Sequence, residues 1–287
     1  MKEIIRKILS TTGYTFVKIS FLEMIRKDLA TTQGAYELLR TSAKSLPHAT
    51  FLLEDIKRKE KSVGIVGCIE HSRAQLAQDL FVLNQLHGNQ AARFFVEFGA
   101  TDGVTLSNTH LLEKHFGWKG ILAEPARCWH HSLAANRSCI IDHRCVYNET
   151  GIEVDFLEVD QDSSSPLYIT PELSGIARYA DNGDWASPIR TDHSTSYPVE
   201  TVTLQDLLVQ NDAPYEIGYL SIDTEGSELD ILQAFDFKSR RIHVITVEHN
   251  YQDDIRSGLY KLLSRNGFKR VCEDISGWDD WYVASGS

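Results

Sequence analysis

Four short stretches carry residue types and spacings that suit chemistry: "FFVEFGATDG" (94–103), "ILAEP" (121–125), "SIDTEGSE" (221–228) and "VEHN" (247–250). In the first, an apolar run ends in a turn framed by Gly99 and Gly103, with Asp102 between them. Glycine at both ends lets something come close to the backbone. Glu124 follows Gly103 by 21 residues, the spacing at which an acid grips a ribose diol through two charge-assisted hydrogen bonds. Turn and acid together point to a cofactor containing adenosine. A dinucleotide wants a bare helix N-terminus for its pyrophosphate. Here Glu97 and Asp102 would repel phosphate and suit a cationic amino group. S-adenosylmethionine has that group, a sulfonium and a ribose, and no phosphate.

The other two stretches would face an acceptor. Asp223 closes one apolar run, with Glu225 and Ser227 at the start of a helix; Ser227 reads as a helix-terminus residue, and Glu225 divides evenly between that role and function. Glu248, His249 and Asn250 follow "VITV". Two routes for the acceptor proton are open. In one, His249 is a general base oriented by Asp223; in the other, Asp223, Glu248 and Asn250 hold Mg²⁺, which acidifies the acceptor hydroxyl. The pair Asp223 and His249 is the favoured catalytic reading, with the metal set beside it.

These residues need elements to hold them. After Arg93 apolar runs alternate with helical stretches, which implies a mostly parallel sheet covered on both faces. "FFVEF", "GILAE", "CIIDHRCVY", "IGYLSID" and "HVITVEH" read as its strands, and "FKRVCED" with "WDDWYVA" as a closing antiparallel hairpin. In such sheets ligands bind beyond the carboxyl ends of the strands at the switch point, where all four stretches fall. "SNTHLLEKHF" reads as a helix closed by Gly117. Ser72 with Gln75 reads as a capping box that opens a helix striped by Leu76, Leu80 and Leu83 and ended at Gly88. "EVDFLEV" reads as an added antiparallel piece. Residues 160–198 show no periodicity and carry Tyr168, Tyr179, Trp185, His193 and Tyr197. They read either as a sugar-stacking loop or as a plain insert.

Residues 1–62 read as a helical N-terminal region and 63–287 as the catalytic domain. The first holds 12 Lys and Arg against 7 Asp and Glu, and the second 17 against 33. An acidic body argues against a nucleic-acid partner. The basic arm offers a peripheral contact to an anionic membrane, against the plainer reading of a solvated helical surface. No stretch has the length and apolarity of a spanning helix. With no secretory signal in the first thirty residues and five cysteines in no C-x-x-C pattern, the expected setting is cytoplasmic.

The strings "FVEFGATDG", "LSNT", "LAEP", "SIDTEGSELDIL" and "VEHN" resemble the motifs of FkbM-type S-adenosylmethionine-dependent methyltransferases, over roughly residues 72–284. The resemblance implies a Rossmann-like class I methyltransferase fold, with a mostly parallel seven-stranded sheet and a C-terminal antiparallel hairpin. It also implies O-methylation of a hydroxyl on a sugar, glycan or glycosylated small molecule. Glu97, Gly99, Ala100, Asp102, Gly103, Asn108, Glu124 and Pro125 would line the cofactor site. The metal set likewise resembles that of catechol-type O-methyltransferases. "CVYNETG" departs from the pattern usual near adenine. A nicotinamide-dependent oxidoreductase and a binding module that keeps the fold without turnover are the rival readings.

Overall fold

The computed structural model describes residues 48, 50, 51, 68–86, 89, 91–162, 165 and 169–285. The chain divides into two units, Met1–His71 and Ser72–Ser287. In the first, His48, Thr50 and Phe51 are helical and Ile69–His71 forms a 3₁₀ turn. The rest of the expected helical region 1–62 lies outside the described residues, as do Gly88 and Tyr168. No helix among the described residues is long and apolar enough to cross a membrane.

The second unit is built on a seven-stranded sheet. Its strands are β1 (Phe94–Phe98), β2 (Lys119–Ala123), β3 (Ile140–Asp142), β8 (Glu216–Ile222), β9 (Arg241–Glu248), β10 (Phe268–Val271) and β11 (Asp279–Ala284), in the order β10-β11-β9-β8-β1-β2-β3. β1, β2, β3, β8 and β9 run parallel, while β11 pairs antiparallel with both β9 and β10. This is a Rossmann-like arrangement whose order reverses between β1 and β8. β1 is buried throughout and β8 and β9 nearly so, because both faces of the sheet are covered. Among the helices are α1 (Gln78–Gln85), α2 (His110–Phe116), α3 (His130–Asn136), α5 (Leu204–Gln210), α6 (Glu228–Gln233) and α7 (Asp253–Arg265). Gly117 ends α2 in a left-handed conformation that only glycine adopts freely.

Three sequence readings need correction. The first helix starts at Gln78: Ala77 is left-handed, and the Ser72 hydroxyl donates to Asp79 at 2.8 Å rather than capping a helix. "CIIDHRCVY" is two strands, because Asp142 accepts from the backbone N–H and guanidinium of Arg144 and bends the chain. β3 stays in the large sheet while β4 (Cys145–Tyr147) enters a second one.

That second sheet reaches into the stretch 160–198 read as structureless, through β6 (Gly175–Ile176) and the start of the ten-residue β7 (Ser194–Thr203). With β5 (Glu153–Val159) they join β4 in the order β4-β7-β5-β6, with the short helix α4 (Ser187–Asp192) before β7. The added antiparallel piece "EVDFLEV" is β5, paired with β7 along its whole length.

Candidate active site

The carboxyl ends of β1, β2, β8 and β9 open into one cleft whose empty space, open solvent at its mouth included, is about 1090 Å³. Glu97, Glu124, Glu172, Asp223, Glu225 and Asp279 line it, and no lysine or arginine of the described residues does. Its charged lining is acidic throughout.

On the β1 side the acids are engaged with the protein itself. Glu97 is buried in β1 and accepts from Ser107 Oγ, the Asn108 N–H at 2.6 Å and Thr109 Oγ1 at 2.5 Å, with Arg137 at 3.7 Å. Asp102 accepts from the N–H groups of Val104 and Thr105 and from the Thr105 hydroxyl. Both carboxylates therefore shape the loop; Glu97 also lines the cleft, and Asp102 does not. Gly99 is left-handed, and a Cβ there would meet the Asp223 carbonyl oxygen at 2.2 Å. Gly103 leaves room for Arg137 and Leu133, at 2.6 and 2.7 Å from the site of a Cβ. The glycines thus admit protein atoms, and Gly99 also lines the cleft while Gly103 does not.

Asn108 differs from its neighbours. Its Nδ2 donates to Ser221 at 2.9 Å while Oδ1, shielded from solvent, has no hydrogen-bond partner. Ala100 is buried and does not line the cleft, while Pro125 does. Glu124, at the end of β2, accepts from Thr101 N–H at 2.7 Å and Ala126 N–H at 2.8 Å. Burial pushes its pKa up to about 7, despite those two donors. Each oxygen retains a lone pair, the geometry a vicinal diol can meet.

The β8 and β9 ends bring acids together instead. Asp223, Glu225 and Glu248 each place a carboxylate oxygen within 4.8 Å of the others. Asp223 is exposed by area because it faces the open cleft, yet protein surrounds it on its other sides. That enclosure, with the nearby Asp279, raises its pKa to about 7, and it hydrogen-bonds to another acid, Glu248. Burial and then Asp223 raise Glu225 to about 8 and push Glu248 well above the usual range. Like charges this close cannot all be ionised at neutral pH without a compensating cation.

Two contributors came from elements the sequence reading gave no role. Asp279 pairs in register with Glu248 across β9 and β11, accepts from Gln78 Nε2 at 2.8 Å, and is raised by burial to about 7. Trp278 also lines the cleft, whereas Tyr179, Trp185, His193 and Tyr197 do not. A motif gives no hint of Asp279, since the antiparallel register alone sets it beside Glu248.

His249 is not brought to Asp223. Alternation along β9 turns Glu248 toward the cleft and His249 away from it. The imidazole is buried with Nε2 3.6 Å from Asp280, and its Nδ1 accepts from Tyr251 N–H. Burial would raise Asp280, but His249, Arg256 and Arg270 outweigh it and hold the carboxyl well below the usual range. Asn250 stands outside the carboxylate trio: the chain turns left-handed there and its Nδ2 donates to Glu248 at 2.8 Å.

Strand order, switch-point cleft and acid at the end of β2 define a Rossmann-like α/β protein of the methyltransferase type. The model of the methyltransferase FkbM domain matches residues 97–270, more than half of the chain, and the chain belongs to that family. Among solved structures it is similar to methyltransferase FkbM from Methylobacillus flagellatus KT, at 13% identity and a TM-score of 0.39. That alignment covers 90% of this chain and 60% of the other. No curated protein sequence matches the chain.

Proposed function

We propose that the protein is an S-adenosylmethionine-dependent O-methyltransferase acting on a hydroxyl of a sugar, glycan or glycosylated small molecule. The observation that carries this is a switch-point cleft whose charged lining is wholly acidic. It suits a ligand bearing a sulfonium and an ammonium, and it opposes the pyrophosphate of a nicotinamide cofactor. Glu124 would hold the ribose diol and Asn108 Oδ1 would accept from the amino group. Bound there, S-adenosylmethionine supplies an electrophilic methyl group.

The chain's own task is to place the acceptor oxygen and take its proton. Asp223 is the residue suited to that, since it faces the cleft and its pKa of about 7 makes it a stronger base than an ordinary carboxylate. Glu248, held protonated by its surroundings, donates to Asp223 and fixes its orientation. Gln78 steadies Asp279 behind them.

A second reading is favoured by the carboxylate trio. Oxygen atoms of Asp223, Glu225 and Glu248 within 4.8 Å of one another suit a hard divalent cation such as Mg²⁺. The test is release of S-adenosylhomocysteine from S-adenosylmethionine with a panel of methyl glycosides, with and without exhaustive chelation. Turnover that survives chelation supports Asp223 as the base, and turnover that requires Mg²⁺ supports the trio as ligands. Cofactor binding without turnover on any acceptor would favour a binding module.

A further inference from the structure

The segment between β5 and β7 supplies one wall of the cleft. Pro171, Glu172, Ser174 and Ile176 all line it. This wall is a 3₁₀ turn (Pro171–Leu173) and the two-residue β6, which are too short to be rigid by themselves. A rigid wall needs an anchor.

The anchor is a buried cation. Arg190, on α4, is 1% exposed. Its Nε donates to the Leu173 carbonyl at 3.1 Å, inside the wall turn, and its fork clasps Asp184 at 2.7 and 3.0 Å. Nη1 also reaches the Ala180 carbonyl at 3.5 Å, and Nη2 donates to Glu225 of the cleft lining. A planar guanidinium with fixed donors can set three partners at once, which a lysine cannot. Close packing reinforces the contact, since a Cβ on Gly175 of the wall would stand 3.1 Å from Glu225 Cβ. A second tie runs parallel, from the Tyr179 hydroxyl to Asp230 in the first turn of α6. In "DTEGSELD", then, Glu225 and Asp230 serve as docking points for the inserted sheet.

We infer that Arg190 is a positioning residue which locks the 171–176 wall to Glu225, and so sets the width of the acceptor side of the cleft without touching the cofactor side. The inference rests on the acceptor reading above for its functional meaning, while the lock itself can be tested without turnover. The cofactor-side residues lie on other elements: Asn108 bonds to Ser221, Glu124 bonds to Thr101 and Ala126, and Pro125 follows β2.

The experiment compares wild type, Arg190→Lys and Arg190→Met by hydrogen exchange resolved by peptide, and by calorimetry with S-adenosylhomocysteine. Amide exchange over 171–180 should speed up by about tenfold or more in Arg190→Met and by less in Arg190→Lys. Exchange in β1, β8 and β9 should hold, with S-adenosylhomocysteine affinity within about twofold, since distant sites act independently. With methyl glycosides as acceptors, KM for the glycoside should rise more than kcat falls. Should Arg190→Met fail to fold, Glu225→Ala, which removes the acceptor for Arg190, should still quicken exchange over 171–180. Unchanged exchange there in a folded variant, or loss of S-adenosylhomocysteine binding in step with it, would overturn the inference. Absence of turnover on glycosides, with the exchange result as expected, would count against the acceptor reading and leave the lock standing.

Discussion

The loop after β1 and the ends of β8 and β9 both carry carboxylates, and they use them in opposite ways. Glu97 and Asp102 are engaged by N–H and hydroxyl donors from the twelve residues that follow Glu97, so their charge is spent in holding a loop. Asp223, Glu225 and Glu248 stand against one another with Arg190 on Glu225 and Asn250 on Glu248, and their pKa values rise. An acid with its donors in place is architecture. An acid crowded by other acids in a cleft holds back protonation energy that a substrate or cation can draw on.

The sharpest break between the two regions should come from Asp223→Asn. Loss of a general base should lower methyl transfer by about 10²- to 10⁴-fold, with S-adenosylmethionine affinity retained and stability equal or higher. If turnover changes by less than a few-fold, the acid cluster is not where the acceptor proton goes. Glu97→Ala should do the reverse. It leaves the buried donors of Ser107, Asn108 and Thr109 without their acceptor, while Arg137 keeps Glu113 at 2.5 Å, and should cost about 1 to 3 kcal/mol in urea unfolding. A stable variant that had lost cofactor binding would move Glu97 from the loop to the ligand.

Smaller effects sharpen the same contrast. Glu124→Ala should weaken S-adenosylmethionine binding by about 1.5 to 3 kcal/mol for each charge-assisted hydrogen bond lost, measured by calorimetry. The pH dependence of stability has a defined sign. Glu124, Asp223, Glu225 and Asp279 have folded pKa values near 7 to 8, above the ordinary 3.8 of aspartate and 4.5 of glutamate. The folded state therefore binds more protons than the unfolded one between these limits. The corresponding stability is full below the lower values and is lost as pH rises through the upper ones. Melting temperature should fall between pH 5.5 and 8.5, less steeply in Asp223→Asn, and a flat profile would remove the crowding. The smallest effect belongs to His249→Ala, which should alter methyl transfer by less than about tenfold, below what loss of a general base brings.

Much of this was legible in the chain. Apolar runs announced β1, β2, β8 and β9 because a parallel sheet buried on both faces needs them, and Gly117 announced the end of α2. The start of β7 was hidden because its residues are polar and largely solvated, so no apolar period marks it. In the site, Asp223 and Glu248 were visible as strand-end acids. Asp279 and Arg190 were not, as a strand inserted antiparallel and a buried arginine in an irregular stretch are placed by tertiary contacts alone. His249 follows the last residue of β9, and alternation alone left open whether it or Glu248 would face the substrate.

Calorimetric titration of the full chain with S-adenosylmethionine, and in parallel with NAD⁺, tests the central claim most directly. The acidic cleft predicts saturable one-to-one binding of S-adenosylmethionine and no heat of binding with NAD⁺. Binding of NAD⁺, or of neither ligand, would contradict it.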